Sequence, residues 1–156
     1  MITPQHLTAL SAEQKKDVFK LWNKEYPTSL TFKDIREMEE FINSLEQLKY
    51  IVLLEEKGSI MAWMGMFTRD GDRWFSILVD SKYQGKGYGS VLLEEAKKNE
   101  QSLSGWVMDH NKDKKVNGDH YYSPLSFYLK NGFDMIPDIR YEQNNVSALK
   151  INWEKD

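Results

Sequence analysis

The chain contains no cysteine. Disulfides, thiolate metal sites and a cysteine nucleophile are therefore excluded. No apolar run approaches the ~20 residues of a membrane-spanning helix. The start, Met1-Ile2-Thr3-Pro4-Gln5, lacks the basic and apolar segments of a secretion signal. These absences predict a cytoplasmic protein without a membrane partner. Nor is there an excess of one charge: 21 Lys and Arg stand against 24 Asp and Glu, a net charge of −3. That is too weak a field, with no basic stripe, to predict a nucleic-acid partner. Repeats and low-complexity segments are missing too. At 156 residues, 40% hydrophobic and 29% charged, the sequence predicts a single domain, 1–156, with a substantial core.

Two familiar phosphate loops are also lacking. No Gly-x-x-x-x-Gly-Lys-Ser/Thr run occurs, and Gly85, Gly87 and Gly89 are one residue out of register for Gly-x-Gly-x-x-Gly. The acid wanted about 20 residues later is absent around Gly105-Trp106. What stands there is Gln84-Gly85-Lys86-Gly87-Tyr88-Gly89. An apolar stretch, 74–80, precedes it and reads as a buried strand. Gly89, Leu92, Leu93 and Ala96 follow at the spacing of an amphipathic helix. Glycines let a backbone approach a ligand closely, and the first N–H groups of a helix lack internal acceptors. Together these suit a phosphate or pyrophosphate better than a plain turn.

The order of elements is read as follows. Residues 2–8 give a short first strand. Ser11 and Gln14 form a capping box for a helix carrying Val18, Leu21, Trp22 and Tyr26, which Pro27 closes. Thr31 is expected to cap a second helix lined by Phe32, Ile35, Met38, Ile42 and Leu45. Strands follow at 50–54, 60–67 and 73–80, with Asp70-Gly71 as a turn signal. The glycine loop and its helix then cross over to a strand at 103–109, which makes that pair parallel. Residues 111–122 are polar and read as a solvated excursion. Ser123-Pro124 opens a helix that Asn131-Gly132 stops. Two more strands follow, 133–140, with Pro137 marking a bend or edge, and 146–153. His110 and His120 with Asp109 and Asp119 match no metal-ligand spacing, so no metal is expected.

Gln84, Gly87 and Gly89 match the pattern Gln/Arg-x-x-Gly-x-Gly/Ala. The run Val79 to Gly89 resembles the acyl-CoA pyrophosphate loop of the GNAT family of N-acetyltransferases. Phe127-Tyr128-Leu129-Lys130-Asn131-Gly132-Phe133 resembles that family's later Phe-Tyr-x-Lys-x-Gly-Phe motif. The resemblance implies an α/β (α+β) fold with a mixed, mostly antiparallel sheet, a splayed parallel pair and about four flanking helices. It implies acetyl-CoA as cosubstrate. Gln84, Gly85, Lys86, Gly87, Tyr88 and Gly89 would supply backbone N–H groups to the pyrophosphate, and main chain near Leu78 and Val79 would hold the pantetheine arm and thioester. Tyr128 matches the family's frequent general acid; its alternative is a tyrosine that only packs helix on sheet.

The chain also departs from the pattern. Many members carry Asn at the position of Tyr121 and Ala at that of Pro124, and the stretch from Arg73 to Val79 has no carboxylate. Glu55, Glu56, Asp109, His110 or an ordered water remain as candidates for a general base. Trp22 and Tyr26 read as core, although the resemblance sets their helices beside the acceptor. The expectation is acetyl transfer to a primary amine, on a small molecule or peptide, within a ternary complex. A CoA-binding module without turnover, another acyl group, a hydroxyl acceptor and, more distantly, a dinucleotide-binding protein are the alternatives. The oligomeric state is open, a homodimer included.

Overall fold

The computed structural model describes residues 2–156. Seven strands form one sheet in the order β1-β2-β3-β4-β5-β7-β6. They are β1 (Gln5–Leu7), β2 (Glu46–Leu54), β3 (Ile60–Arg69), β4 (Asp72–Val79), β5 (Ser102–Val107), β6 (Asp134–Gln143) and β7 (Val146–Glu154). Four helices flank them: α1 (Ala12–Glu25), α2 (Ile35–Asn43), α3 (Tyr88–Asn99) and α4 (Leu125–Lys130). All neighbouring strands run antiparallel except β4 and β5. The mixed sheet, the parallel pair and the number of helices agree with the sequence expectation.

Two faces of the sheet carry two cores. Successive residues on a strand point to opposite sides. Ile51 and Leu53 accordingly pack with Leu92, Leu93 and Ala96 of α3 and Tyr128 of α4. Tyr50 and Val52 pack with Val18, Leu21 and Trp22 of α1 and Met38 of α2. Because both faces are covered, β3 is buried continuously from Ile60 to Phe67 and shows no polar alternation.

The first helix starts where the sequence places it. Ser11 Oγ accepts from the Gln14 N–H at 3.1 Å, and Gln14 Oε1 accepts from the Ser11 N–H at 2.8 Å. The second does not. Thr31 ends a 3-10 turn (Thr28–Leu30) and donates its hydroxyl to the Thr28 carbonyl at 2.8 Å. Asn23 of α1 holds both the N–H and the carbonyl of Phe32, at 2.9 and 2.8 Å. That clamp keeps Phe32 out of a helix, so α2 begins only after Asp34, whose carboxylate accepts from the Glu37 N–H at 2.9 Å. A similar displacement of one residue occurs at α4. Pro124, not Ser123, is the residue flanking its first turn. Ser123 Oγ still accepts from the Leu125 N–H at 3.2 Å while donating to the Met108 carbonyl. Pro137 lies on the outermost strand, β6, inside an irregularity between Ile136 and Arg140.

β4 and β5 share a single parallel register pair, Trp74 with Ser104, and then part. Phe75 lies across Gly105, where an added Cβ would stand 3.0 Å from the Phe75 ring. On the other face Trp74 and Trp106 stack with centroids 5.0 Å apart. The strands are thus joined by side chains at the point where their ladder ends.

Leu93 anchors α3 to this sheet and is completely buried. Leu93→Ala is expected to cost about 2–5 kcal/mol, lost transfer energy plus a residual cavity. Urea unfolding of both proteins, with the midpoint and slope compared, measures it.

Candidate active site

A cavity of about 550 Å3 opens where β4 and β5 part. That is within the range of small-molecule and cofactor sites. The Asp80 N–H donates across to the Met61 carbonyl of β3 at 2.9 Å. Main-chain direction alternates along a strand, so Ile77 and Val79 turn their peptide groups the other way, into the gap. The Val79 carbonyl there accepts from Gln84 Nε2 at 3.0 Å. Leu78 lines the cavity too, but its side chain belongs to the core under α1 and α2.

At the end of β4 the chain makes a 3-10 turn (Ser81–Tyr83) and enters the glycine loop. Gly85 and Gly87 have φ of +82° and +83°, a left-handed backbone that other residues adopt only at a cost. A Cβ on either would meet no protein atom within 4 Å. Their lack of a side chain therefore serves backbone conformation and open space rather than packing. Gly87 flanks the first turn of α3, and no side chain caps that turn. Gly89 differs. It lies within α3, and a Cβ there would fall 2.8 Å from the Phe127 ring of α4. It lets α3 and α4 approach. Gln84, Gly85, Gly87, Tyr88 and Gly89 all line the cavity, together with Ser90. Lys86 is not among the lining residues; its Nζ lies 5.8 Å from the Tyr83 ring centroid.

Tyr128 comes to the same cavity from α4. Its ring is held by Phe75, Phe127 and Phe133, with centroids 5.7, 5.1 and 5.6 Å away and all three edge-on. Burial raises its phenol well above the usual value, and neighbouring Tyr26 and Tyr121 add to the effect. The hydroxyl thus stays protonated across the neutral range. Packing and exposure to the cavity are both true of this residue.

The opposite wall was poorly anticipated. Glu55, Glu56, Asp109 and His110 do not line the cavity. Glu55 accepts from the Tyr83 hydroxyl at 2.8 Å, which leads the effects lowering its pKa. Asp109 takes both Nη groups of Arg140 at 3.0 Å, and that pairing lowers its pKa. Glu25, Tyr26, Lys115, His120, Tyr121 and Tyr122 are there instead. Trp22 is core, with its indole N–H on the Leu30 carbonyl at 2.7 Å, but Tyr26 faces the cavity. Most of the 111–122 segment is exposed, as the sequence predicts, but it is also anchored and lines the cavity. The Thr28 N–H donates to the Lys114 carbonyl, and Lys115 reaches Glu25 at 3.0 Å. Glu25 itself is buried and its second oxygen accepts from the Ser81 N–H at 2.8 Å. The run His120-Tyr121-Tyr122, three rings in an otherwise polar stretch, is the sequence signal that could have revealed this wall.

Among the described residues, no three His, Cys, Asp or Glu side chains gather as a metal site would require, and no helix is long and apolar enough to cross a membrane. A GNAT acetyltransferase domain model matches residues 47–135, from β2 through the glycine loop to the start of β6. The chain belongs to the GNAT family of acetyltransferases, acetyl-CoA-dependent acyltransferases. A search of curated protein sequences returned no match. Solved structures share the fold over nearly the whole chain. A provisionally named phosphinothricin N-acetyltransferase is 22% identical, with 99% of each chain covered and a TM-score of 0.72. The Sinorhizobium meliloti phosphinothricin acetyltransferase, solved with acetyl-CoA, is 15% identical, covering 98% of this chain and 88% of that one, TM-score 0.68. The Escherichia coli ribosomal-protein-S18-alanine N-acetyltransferase is 16% identical, covering 99% and 94%, TM-score 0.67.

The cavity tyrosines make an alkaline prediction. Desolvation pushes Tyr26 up to about 12, against smaller opposing effects of the Ser76 hydroxyl and Ile77 backbone. Unfolded tyrosines ionise near 10. Between pH 10 and 12 the unfolded chain therefore binds fewer protons than the folded one, and stability falls as pH rises. Melting temperatures measured from pH 8 to 12 should drop in that window, and less steeply in Tyr26→Phe.

Proposed function

We propose that the whole chain is one catalytic domain that transfers the acetyl group of acetyl-CoA to a primary amine by direct attack in a ternary complex. The observation that carries this reading is the parting of β4 from β5 with the left-handed glycine loop at its end and Tyr128 beside it. The loop fits an acyl-CoA pyrophosphate: two glycines whose missing Cβ atoms leave the approach open, at the start of an uncapped helix. Gln84, Gly85, Gly87, Tyr88 and Gly89 would bind there through backbone N–H groups. Lys86, set back from the cavity, would contribute through its own N–H or its charge. Val79 and Ile77 would hold the pantetheine arm with the main-chain groups they turn into the gap, Leu78 contributing cavity wall. When bound, acetyl-CoA supplies an activated thioester. The chain's own work is to hold it, exclude water, and place an amine against it at high effective concentration.

Tyr128 would give its proton to the departing sulfur. The phenol is a weak acid here, but burial also raises the basicity of a thiolate formed in the same cavity, so donor and acceptor stay matched. The chain has no cysteine to form an acyl-cysteine, which favours direct transfer. The acceptor is a small-molecule or peptide amine; the named relatives above include enzymes of both kinds.

Tyr128→Phe keeps the ring and its three aromatic contacts. Its kcat is expected to fall by ~10²–10⁴-fold with acetyl-CoA affinity nearly unchanged. A stable Phe variant with near-normal kcat would remove Tyr128 from the chemistry. Gly87→Val forces a branched side chain into a left-handed backbone and into the open approach. The variant should fold with reduced stability and bind acetyl-CoA more weakly by calorimetry. Initial-rate plots against both substrates should intersect; parallel lines would count against the ternary complex. Acetyl-CoA binding without thiol release, for every amine tried, would identify a binding module instead.

A further inference from the structure

The proposed reaction needs a group that takes a proton from the attacking amine, and the carboxylates suggested by the sequence lie away from the cavity. We propose that His120 is this base, presented to the acceptor by the hairpin between β5 and α4. The inference rests on the acetyl-transfer reading above and extends it to a residue.

Three observations converge on His120. The first is position: it lines the cavity on the wall shared with Glu25 and Tyr121. The second is how firmly it is held. His120 pairs across the hairpin with Lys114, whose carbonyl accepts from the Thr28 N–H at 2.9 Å. The Lys115 N–H donates to the Asp119 carbonyl at 2.8 Å, and Lys115 Nζ is fixed on Glu25 at 3.0 Å. These contacts fix the backbone at His120 beside the cavity. The third is that the other ionisable groups are occupied. Both oxygens of Glu25 are engaged, by Lys115 and by the Ser81 N–H, with Lys24 3.7 Å away. Lys115 is a cation, and the Tyr26, Tyr121 and Tyr128 phenols hold their protons. His120 is exposed, so it can pass a proton to water, and the Tyr122 ring, also on the cavity wall, has its centroid 6.0 Å away. Imidazole is also the side chain best suited to accept a proton near neutral pH.

The protons balance. The ammonium of the acceptor gives one proton to His120, which releases it to water. The freed nitrogen lone pair forms the C–N bond while the C–S electrons leave on sulfur. Sulfur takes the proton of Tyr128, and the second nitrogen proton replaces it. The charged groups that line the cavity with His120 are Lys115 and Glu25, the latter 3.7 Å from Lys24, and Lys114 and Asp119 belong to its own hairpin. None of these needs to change state over the neutral range for the scheme to work.

The test is thiol release from acetyl-CoA with a panel of primary amines, followed from pH 5 to 9 in wild type, His120→Ala and His120→Gln. Wild-type kcat/KM should fall on the acid side, as a reaction that needs a free base does. His120→Ala should lose that limb and ~10²–10⁴-fold of rate, and added imidazole should restore part of it. Acetyl-CoA affinity by calorimetry should be unchanged in both variants. Rescue by imidazole is what a merely structural role would not produce. A variant with the wild-type acid limb, or a rate loss that imidazole does not relieve, overturns the assignment while leaving the acetyltransferase reading intact. Wild-type protein that releases no thiol with any amine overturns that reading, and this inference with it.

Discussion

The parting of β4 from β5 is the constraint on which the molecule depends. A strand that loses its neighbour leaves peptide groups without ladder partners, and buried groups of that kind are costly unless something else satisfies them. Here each strand is held in place by full pairing on its other side, β4 with β3 and β5 with β7, and the freed groups face an open cavity, where the Val79 carbonyl accepts from Gln84 Nε2. The remaining junction is made by side chains, Phe75 over Gly105 on one face and Trp74 on Trp106 on the other. The result is a rigid opening inside a sheet, with peptide groups of Ile77 and Val79 turned into it.

The two faces of the sheet bring different chemistry to this opening. α3 and α4 deliver the glycine loop and Tyr128, and they can do so together because Gly89 admits the Phe127 ring. From the other face come the end of α1 and the 111–122 hairpin, with a wall of rings and one buried carboxylate. Glu25 ties the halves together. One of its oxygens holds the Ser81 N–H just before the glycine loop, and the other holds Lys115 of the hairpin. A buried charge so engaged is a fixed joint, since burying a charge without partners is costly.

Much of the fold was legible because its signals are local. The capping box at Ser11, the Asp70-Gly71 turn and the apolar spacing after Gly89 each depend on residues a few positions apart. The start of α2 was not legible. It depends on Asn23, nine residues from Phe32 and on another helix, taking the backbone that Thr31 would have capped. Likewise none of the expected base residues lines the cavity: Tyr83 holds Glu55 and Arg140 of β6 holds Asp109, contacts that no local pattern announces.

The sequence by itself determined the glycine loop, the helix that follows it and the aromatic motif around Tyr128. These are runs whose spacing reports directly on backbone conformation and on one helix face. Only the tertiary structure decided what stands opposite them. Glu25 lies 90 residues before Lys115 of the hairpin and shares no pattern with it or with His120, so nothing local marks it as their neighbour. They meet because the end of α1 and the β5–α4 hairpin pack against each other over the split sheet, and long-range packing of that kind leaves no periodic trace in the residues that take part.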